Sequence, residues 1–87
     1  MSNAGKRHMA RIAALPCAIC GATPVHVHHI RQTQGAAQRA QDTLTLPLCP
    51  DHHTGSEGIH GLGQKGFYMR YKRDEIDLLA ETLEKLA

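Results

Sequence analysis

Two pairs of metal-binding residues share one spacing in this chain of 87 residues. Two residues separate Cys17 from Cys20, two also separate Cys49 from His52, and 28 residues lie between the two pairs. Zinc in structural sites takes four tetrahedral nitrogen or sulfur ligands, and a gap of two residues lets one tight turn present two of them. The pattern predicts a structural zinc ion. The alternatives are that the cysteines are small buried core residues, or that Cys17 and Cys20 form a disulfide while Cys49 stays free.

Six of the seven histidines remain once His52 is assigned to zinc. A helix turns about 100° per residue, so at a helix start His53 points away from the ion that His52 binds. We expect His53 to face a groove shared with the strand that carries His28 and His29. A cluster of imidazoles beside a structural zinc ion is typical of a second metal site.

The elements that must position these residues follow from hydrophobic patterning. Residues 25–30 and 43–48 predict two short strands, and a polar loop over residues 31–42 joins them. Pro50 and Asp51 suit the first turn of a helix that begins just after Cys49 and the second strand.

The rest of the chain is expected to end in a helix. Residues 55–66 contain five glycines and predict a loop or bent segment, and the chain from Phe67 onward looks helical. Phe67 and Tyr71 are spaced to pack together against the core. An apolar stripe predicted to pack on the core comprises Ile76, Leu79, Leu83 and Leu86.

Length and composition predict one small domain with a thin core. Residues 2–4 are typical of the remnant of an expression tag, so we expect residues 1–4 to lie outside the fold. Residues 5–15 are basic and predict a weak or frayed helix, which leaves residues 16–87 as the domain. Zinc binding contributes on the order of 10 kcal/mol or more to folding, which suits a core this thin.

Several classes of protein are excluded by composition. No apolar run approaches the roughly 18 residues of a membrane span, and the polar, basic N-terminus predicts no secretory signal peptide. An odd number of cysteines, three in all, favours metal binding in a reducing compartment over a disulfide framework. We therefore expect a cytoplasmic protein of the α+β class, a small domain that a structural zinc ion stabilises and that ends in a C-terminal helix.

The paired motifs resemble those of the HNH (ββα-metal) endonucleases. Val27–Ile30 places two histidines on a strand, and Leu46–His53 follows about twenty residues later with Leu-Pro-Leu-Cys-Pro-Asp-His-His. The pattern is most similar to the Ref-type recombination-enhancement nucleases of phages and prophages, in which a downstream Gly-Ile-His, here Gly58–His60, also occurs. The resemblance covers about residues 16–72 and implies an HNH-like ββα-metal domain.

The resemblance also implies roles for individual histidines. His28 and His53 correspond to ligands of a catalytic metal, and His60 corresponds to a further ligand or a phosphate contact. His29 corresponds to the general base that takes a proton from the attacking water. His26 lies on the same strand face as His28 and could face the substrate, or it is an ordinary surface histidine.

The catalytic metal and the loop that braces the site are less closely defined. The family's use of metals implies Mg²⁺ or Mn²⁺, whereas ligation by imidazoles alone suits transition ions such as Zn²⁺ or Ni²⁺. The only asparagine is Asn3, so the residue in place of the family's middle Asn is Thr43, with Asp42 or Gln41 as alternatives. A carboxylate or a backbone carbonyl is expected to orient His29.

Basic residues predict where nucleic acid binds. Residues 1–73 carry nine basic against three acidic residues, whereas residues 74–87 carry one against five. The basic part could face a polyanion, which the acidic tail would repel. The candidate DNA contacts are Arg31, Arg39, Lys65 and Arg70.

The sequence thus predicts an enzyme, a metal-dependent DNA endonuclease that hydrolyses phosphodiester bonds. The resemblance implies products with 5′-phosphate and 3′-hydroxyl ends, and a recombinase as a partner protein. The alternative is a noncatalytic zinc module that binds nucleic acid or a protein, with the same cysteine and histidine quartet but no second metal.

Overall fold

The computed structural model describes residues 3–36 and 38–87. Along the chain the elements are α1 (Asn3–Ala13), β1 (His26–His29), β2 (Thr45–Leu48), α2 (Pro50–His53), α3 (Ile59–Tyr71) and α4 (Glu75–Leu86). Helices and a two-stranded sheet pack together, which confirms the α+β class. Within these described ranges, no helix has both the length and the apolar composition needed to cross a membrane.

The sheet is an antiparallel pair in which His26 lies opposite Leu48 and His29 lies opposite Thr45. All four residues of β2 are buried, since α1 and α4 both pack against this strand. Pro47 lies inside β2, and it is tolerated because both strands of a two-stranded sheet are edge strands. Both strands occur where they were predicted, each two residues shorter.

Helix α1 is more regular than its sequence predicts. We expected a weak or frayed helix over residues 5–15 and no part in the fold for residues 1–4, but the helix begins at Asn3. Ile12 is fully buried, and the helix packs against both strands. Most helical stability in proteins comes from packing of this kind, which local propensity does not register.

Helix α3 starts earlier than predicted. Its first residue is Ile59, inside the segment 55–66 that we expected to be a loop or a bend. The bend exists as a kink within the helix at Gly63, where φ is 76° and ψ is 174°. Glycine alone adopts this backbone conformation readily, so it lets two helical pieces join at an angle.

The C-terminal region is two helices instead of the single one predicted from Phe67 onward. Helix α3 ends at Tyr71, and the capping residue Lys72 has a left-handed φ of 59°. Helix α4 begins after Asp74, which accepts the backbone N–H of Asp77 while the Asp77 carboxylate accepts that of Asp74. This capping box satisfies two backbone donors and fixes where α4 starts.

The buried face of α4 is rotated from the predicted stripe. Ile76 and Leu83 are 39% and 46% exposed, so the prediction was wrong for both. The buried positions of α4 are Glu75, Leu78, Leu79 and Thr82. Three other segments donate hydrogen bonds to the Glu75 carboxylate and hold it inside the protein, which turns the next residue outward.

Candidate metal centres

The first candidate centre joins the turn after α1 to the start of α2. Gly21 closes the turn with a φ of 78° and donates its N–H to the Cys17 carbonyl at 2.9 Å. The N–H of Ala18 donates to the carbonyl of Pro47 at 2.9 Å, which fixes the turn to the end of β2. Because Cys49 follows β2 directly, this bond brings the two halves of the motif together.

The ligand atoms of Cys17, Cys20, Cys49 and His52 all lie within 4.8 Å of one another. The Cys20 and Cys49 sulfurs are 3.7 Å apart, and His52 Nδ1 lies 3.2 Å from the Cys49 sulfur and 3.9 Å from the Cys17 sulfur. A tetrahedron with zinc–sulfur bonds of about 2.3 Å has edges of about 3.8 Å. The four residues therefore could hold a metal ion such as zinc.

No disulfide links the thiols of this cluster, and their surroundings shift the pKa values of Cys49 and Cys17 in opposite directions. All three cysteines are free, so the predicted alternative of a Cys17–Cys20 disulfide is wrong. Burial and the neighbouring thiols of Cys20 and Cys17 raise the pKa of Cys49. Burial opposes ionisation of Cys17 as well, but backbone N–H groups that donate to its sulfur lower its pKa below the ordinary value.

The second candidate centre is a group of imidazoles from three elements. The ligand atoms of His28 on β1, His53 on α2 and His60 on α3 lie within 4.8 Å of one another and could hold a metal ion. His53 Nε2 lies 3.1 Å from His60 Nε2, and the ring centroids of His28 and His53 are 5.0 Å apart. His28 is buried, His53 is half-buried and His60 is exposed, so the cluster opens to solvent on one side.

Two glycines allow α3 to approach α2 closely enough to form this cluster. A side chain at Gly58 would place its Cβ 2.6 Å from the carbonyl carbon of His52. A side chain at Gly61 would place its Cβ 2.4 Å from the Gly55 carbonyl oxygen. Both distances are shorter than any tolerated contact, so the glycine-rich stretch lets His60 reach His53.

The electrostatics of the cluster favour the neutral forms of His53 and His60. Burial, together with the neighbouring rings of His28, His60 and His26, lowers the pKa of His53 to about 4. Burial and His28 also lower the pKa of His60. Neutral imidazole is the form that binds metal ions, so His53 and His60 need no deprotonation to bind one near neutral pH.

Glu75 is a member of this site that the sequence did not reveal. Its Oε2 lies 2.5 Å from His28 Nε2, and both side chains are almost fully buried. Burial opposes its charge, but hydrogen bonds from His28 and from the N–H groups of Gln32 and Arg31 hold the pKa of Glu75 below its usual value. In the sequence Glu75 resembles any acidic residue in the first turn of a helix, because its partner is 47 residues away.

The position of His29 differs from the expectation that it shares a site with His28. The strand pairs regularly through His29, and consecutive strand residues point to opposite faces. His29 Nε2 lies 3.0 Å from the Asp42 carboxylate and 3.1 Å from the Arg39 guanidinium. The structure thus supplies the expected orienting carboxylate, but it does not bring His29 into the imidazole cluster.

His26 is the additional imidazole that the structure does bring to the cluster. Its Nδ1 lies 2.8 Å from Nδ1 of His53, and its side chain is exposed. His26 and His28 are two residues apart on β1 and therefore share a strand face, as their spacing predicts. In the loop before β2, the Thr45 hydroxyl donates to the Asp42 carbonyl at 3.0 Å.

The four predicted DNA contacts occupy different environments. Arg31 donates to the carbonyls of Gln38 and Gly35 and so braces its own loop. Arg70 lies 3.7 Å from a Glu57 carboxylate oxygen, and its guanidinium lies over a tyrosine ring. Both cations therefore have protein partners in this structure.

The other two basic residues lie beside open clefts. Arg39 is 63% exposed and lines a cleft of about 430 Å³ together with Asp42, on the side of the sheet that carries His29. Lys65 lines a cleft of about 390 Å³ with Gln64 and Tyr68. Gln64 also donates to Glu75, so this second cleft adjoins the partner of His28.

Comparisons with protein-family models, curated proteins and solved structures found no match to this chain. The geometry of the two clusters is therefore the basis for inferring a function.

Proposed function

We propose that this protein is a metal-dependent endonuclease that hydrolyses phosphodiester bonds in DNA, with an HNH-like ββα-metal domain. The observation that carries the proposal is the difference between its two clusters. One offers four ligands, as closed structural zinc sites do. The other offers three imidazoles, one of them exposed, as metal sites do when they leave a position for substrate or water.

Each cluster has a separate role in this proposal. Cys17, Cys20, Cys49 and His52 would hold a structural zinc ion that fixes α2 to the rest of the fold. His28, His53 and His60 would hold a divalent cation, for which an all-imidazole set favours transition ions such as Zn²⁺ or Ni²⁺ over Mg²⁺. When bound, that cation supplies charge stabilisation to the phosphate and the departing 3′ oxygen.

His29 is the proposed general base. In this proposal Nε2 of His29 donates its N–H to the Asp42 carboxylate, 3.0 Å away, so that Nδ1 would be the nitrogen that takes a proton from the attacking water. Because His28 and His29 face opposite sides of β1, both can serve one phosphate only if it lies at the open edge of this strand. β1 ends at His29 and is an edge strand, so such a position is compatible with the fold.

The charge distribution favours a polyanionic substrate. Arg39 lies beside His29, and Lys65 lies in the cleft next to the partner of His28. Contacts from such residues to phosphates are independent of sequence and strongly dependent on salt. The proposal therefore predicts cleavage with little base specificity.

Nicking of supercoiled plasmid tests the proposal directly. Wild-type protein is incubated with Mg²⁺, Mn²⁺, Ni²⁺ or Zn²⁺ and compared with the His53→Ala, His29→Ala and His26→Ala variants. We expect His53→Ala to abolish nicking and His29→Ala to lower its rate by about 10²–10⁴-fold. Lys6→Ala, on the exposed surface of α1, is the matched control.

The outcomes separate the parts of the proposal. Loss of activity in His26→Ala with full activity in His29→Ala would transfer the base role to His26, on the cluster face. The alternative function, a noncatalytic zinc module, predicts one tightly bound zinc ion per chain, no second ion under excess Mn²⁺ and no nicking. That result would overturn the nuclease proposal.

A further inference from the structure

The structure assigns to Glu75 the role of a positioning residue that fixes His28 for metal binding through Nδ1. This inference rests on the proposed function, because it requires the imidazole cluster to bind a cation. It makes the N-terminus of α4 part of the metal site, although the three proposed ligands lie on β1, α2 and α3.

The Glu75 carboxylate is itself held rigidly. One oxygen, Oε1, accepts the backbone N–H groups of Arg31 at 2.8 Å and Gln32 at 2.7 Å, together with the side-chain amide of Gln64 at 2.9 Å. The other, Oε2, lies 2.5 Å from His28 Nε2. With three donors fixing Oε1, Oε2 can point only at His28.

This contact determines which nitrogen of His28 is available to a cation. An ionised carboxylate accepts hydrogen bonds and cannot donate them, so the proton between the two groups belongs to Nε2 of His28. A His28 ring that binds a metal ion must then do so through the lone pair of Nδ1, because Nε2 carries the proton. Carboxylates that accept the second N–H of a metal-binding histidine fix its ring orientation and raise its basicity as a ligand.

The buried pair has a feature that a purely structural ion pair does not require. His28 is 3% exposed and Glu75 is 1% exposed, yet the His28 ring also lies beside the rings of His53 and His60. The centroid distances from His28 to these two rings are 5.0 Å and 5.2 Å. The pair therefore connects the protein interior to the exposed end of the cluster.

Nitrogen NMR of the histidine rings tests this on the wild-type chain. The protein is first loaded with one zinc ion and then titrated with further Zn²⁺, while long-range proton–nitrogen spectra follow the ring of His28. We expect Nε2 to remain protonated and Nδ1 to shift on metal binding. A spectrum in which Nε2 loses its proton and binds the metal would overturn the assignment to Glu75.

A pair of substitutions provides a second test. In Glu75→Gln, affinity for Co²⁺ at the imidazole cluster should fall about 10–100-fold, the usual cost of losing such a partner, whereas the cysteine-rich cluster should keep its ion. Glu81→Gln is the matched control, since Glu81 also lies on α4 but pairs with Arg73 at the surface. The absorption bands of Co²⁺ distinguish thiolate from imidazole ligation and so report the two clusters separately.

The outcomes distinguish this inference from the proposed function. If wild-type protein binds no second ion, the proposed function fails and this inference fails with it. If wild type binds a second ion and Glu75→Gln binds it equally well, only the role of Glu75 is overturned. If Glu75→Gln does not fold, the wild-type NMR experiment still decides which nitrogen of His28 binds the metal.

Discussion

The two adjacent histidines on α2 should have different effects when each is replaced by alanine, one on the stability of the fold and the other on binding of the second ion. His52 belongs to the cysteine-rich cluster, and His53 belongs to the imidazole cluster. His52→Ala should destabilise the fold, because it removes one of four ligands to the structural ion. His53→Ala should leave the fold intact and remove binding of the second ion.

The expected loss of stability in His52→Ala follows from the typical energy of structural zinc binding. Structural zinc contributes about 10–16 kcal/mol in small domains, or about 3 kcal/mol for each of four ligands. A chain of 87 residues has a total stability of roughly 4–13 kcal/mol at 0.05–0.15 kcal/mol per residue. His52→Ala should therefore lower Tm by about 12–24 °C, since 1 kcal/mol shifts the Tm of a domain this small by about 4–8 °C.

The expected loss of stability is much smaller for His53→Ala. Its ring is half-buried among other imidazoles that disfavour its charged form, so truncation removes no buried ion pair. The change in stability should stay within about 1 kcal/mol. Thermal unfolding by circular dichroism, with zinc stoichiometry measured on the same samples, provides the comparison.

One result would refute the reasoning. If both variants lost the same bound ion and the same stability, His52 and His53 would be ligands of a single centre. A smaller loss in His52→Ala than in His53→Ala would instead show that the cysteine-rich cluster does not stabilise the fold.

Other consequences concern stability, the orientation of His29 and binding of nucleic acid. Removal of zinc with a strong chelator should abolish the cooperative unfolding transition seen by circular dichroism, and an unchanged transition would mean that the core suffices alone. Leu78→Ala should cost about 2–5 kcal/mol in denaturant unfolding because Leu78 is fully buried, whereas Leu83→Ala, at an exposed position of the same helix, should cost less than about 1 kcal/mol. Asp42→Asn should slow nicking by less than His29→Ala does, since it disturbs the orientation of the base without removing it; equal or greater slowing would contradict this order. Arg39→Gln should weaken DNA binding in fluorescence anisotropy and lower the salt slope by about 1, and an unchanged slope would place Arg39 outside the DNA contact.

The parts of the fold that the sequence predicted well are those governed by short-range geometry. The spacing of Cys17 and Cys20 is the length of one turn, and Pro50 after Cys49 marks the start of a helix that the structure contains. Other expectations were wrong where contacts between residues far apart in the sequence determine the structure. The face of α4 follows from hydrogen bonds that draw Glu75 inward, and no periodicity of apolar residues encodes them.

The sequence by itself determined that the adjacent His52 and His53 cannot point the same way, because the rotation per residue of a helix is the same in any fold. It also determined which four residues could surround one ion, since two matched spacings leave few other arrangements. Only the tertiary structure decided which groups face the remaining histidines. Glu75 meets His28 across 47 residues and Asp42 meets His29 across 13, and such partners depend on how helices and strands pack, which the spacing of residues along the chain does not specify.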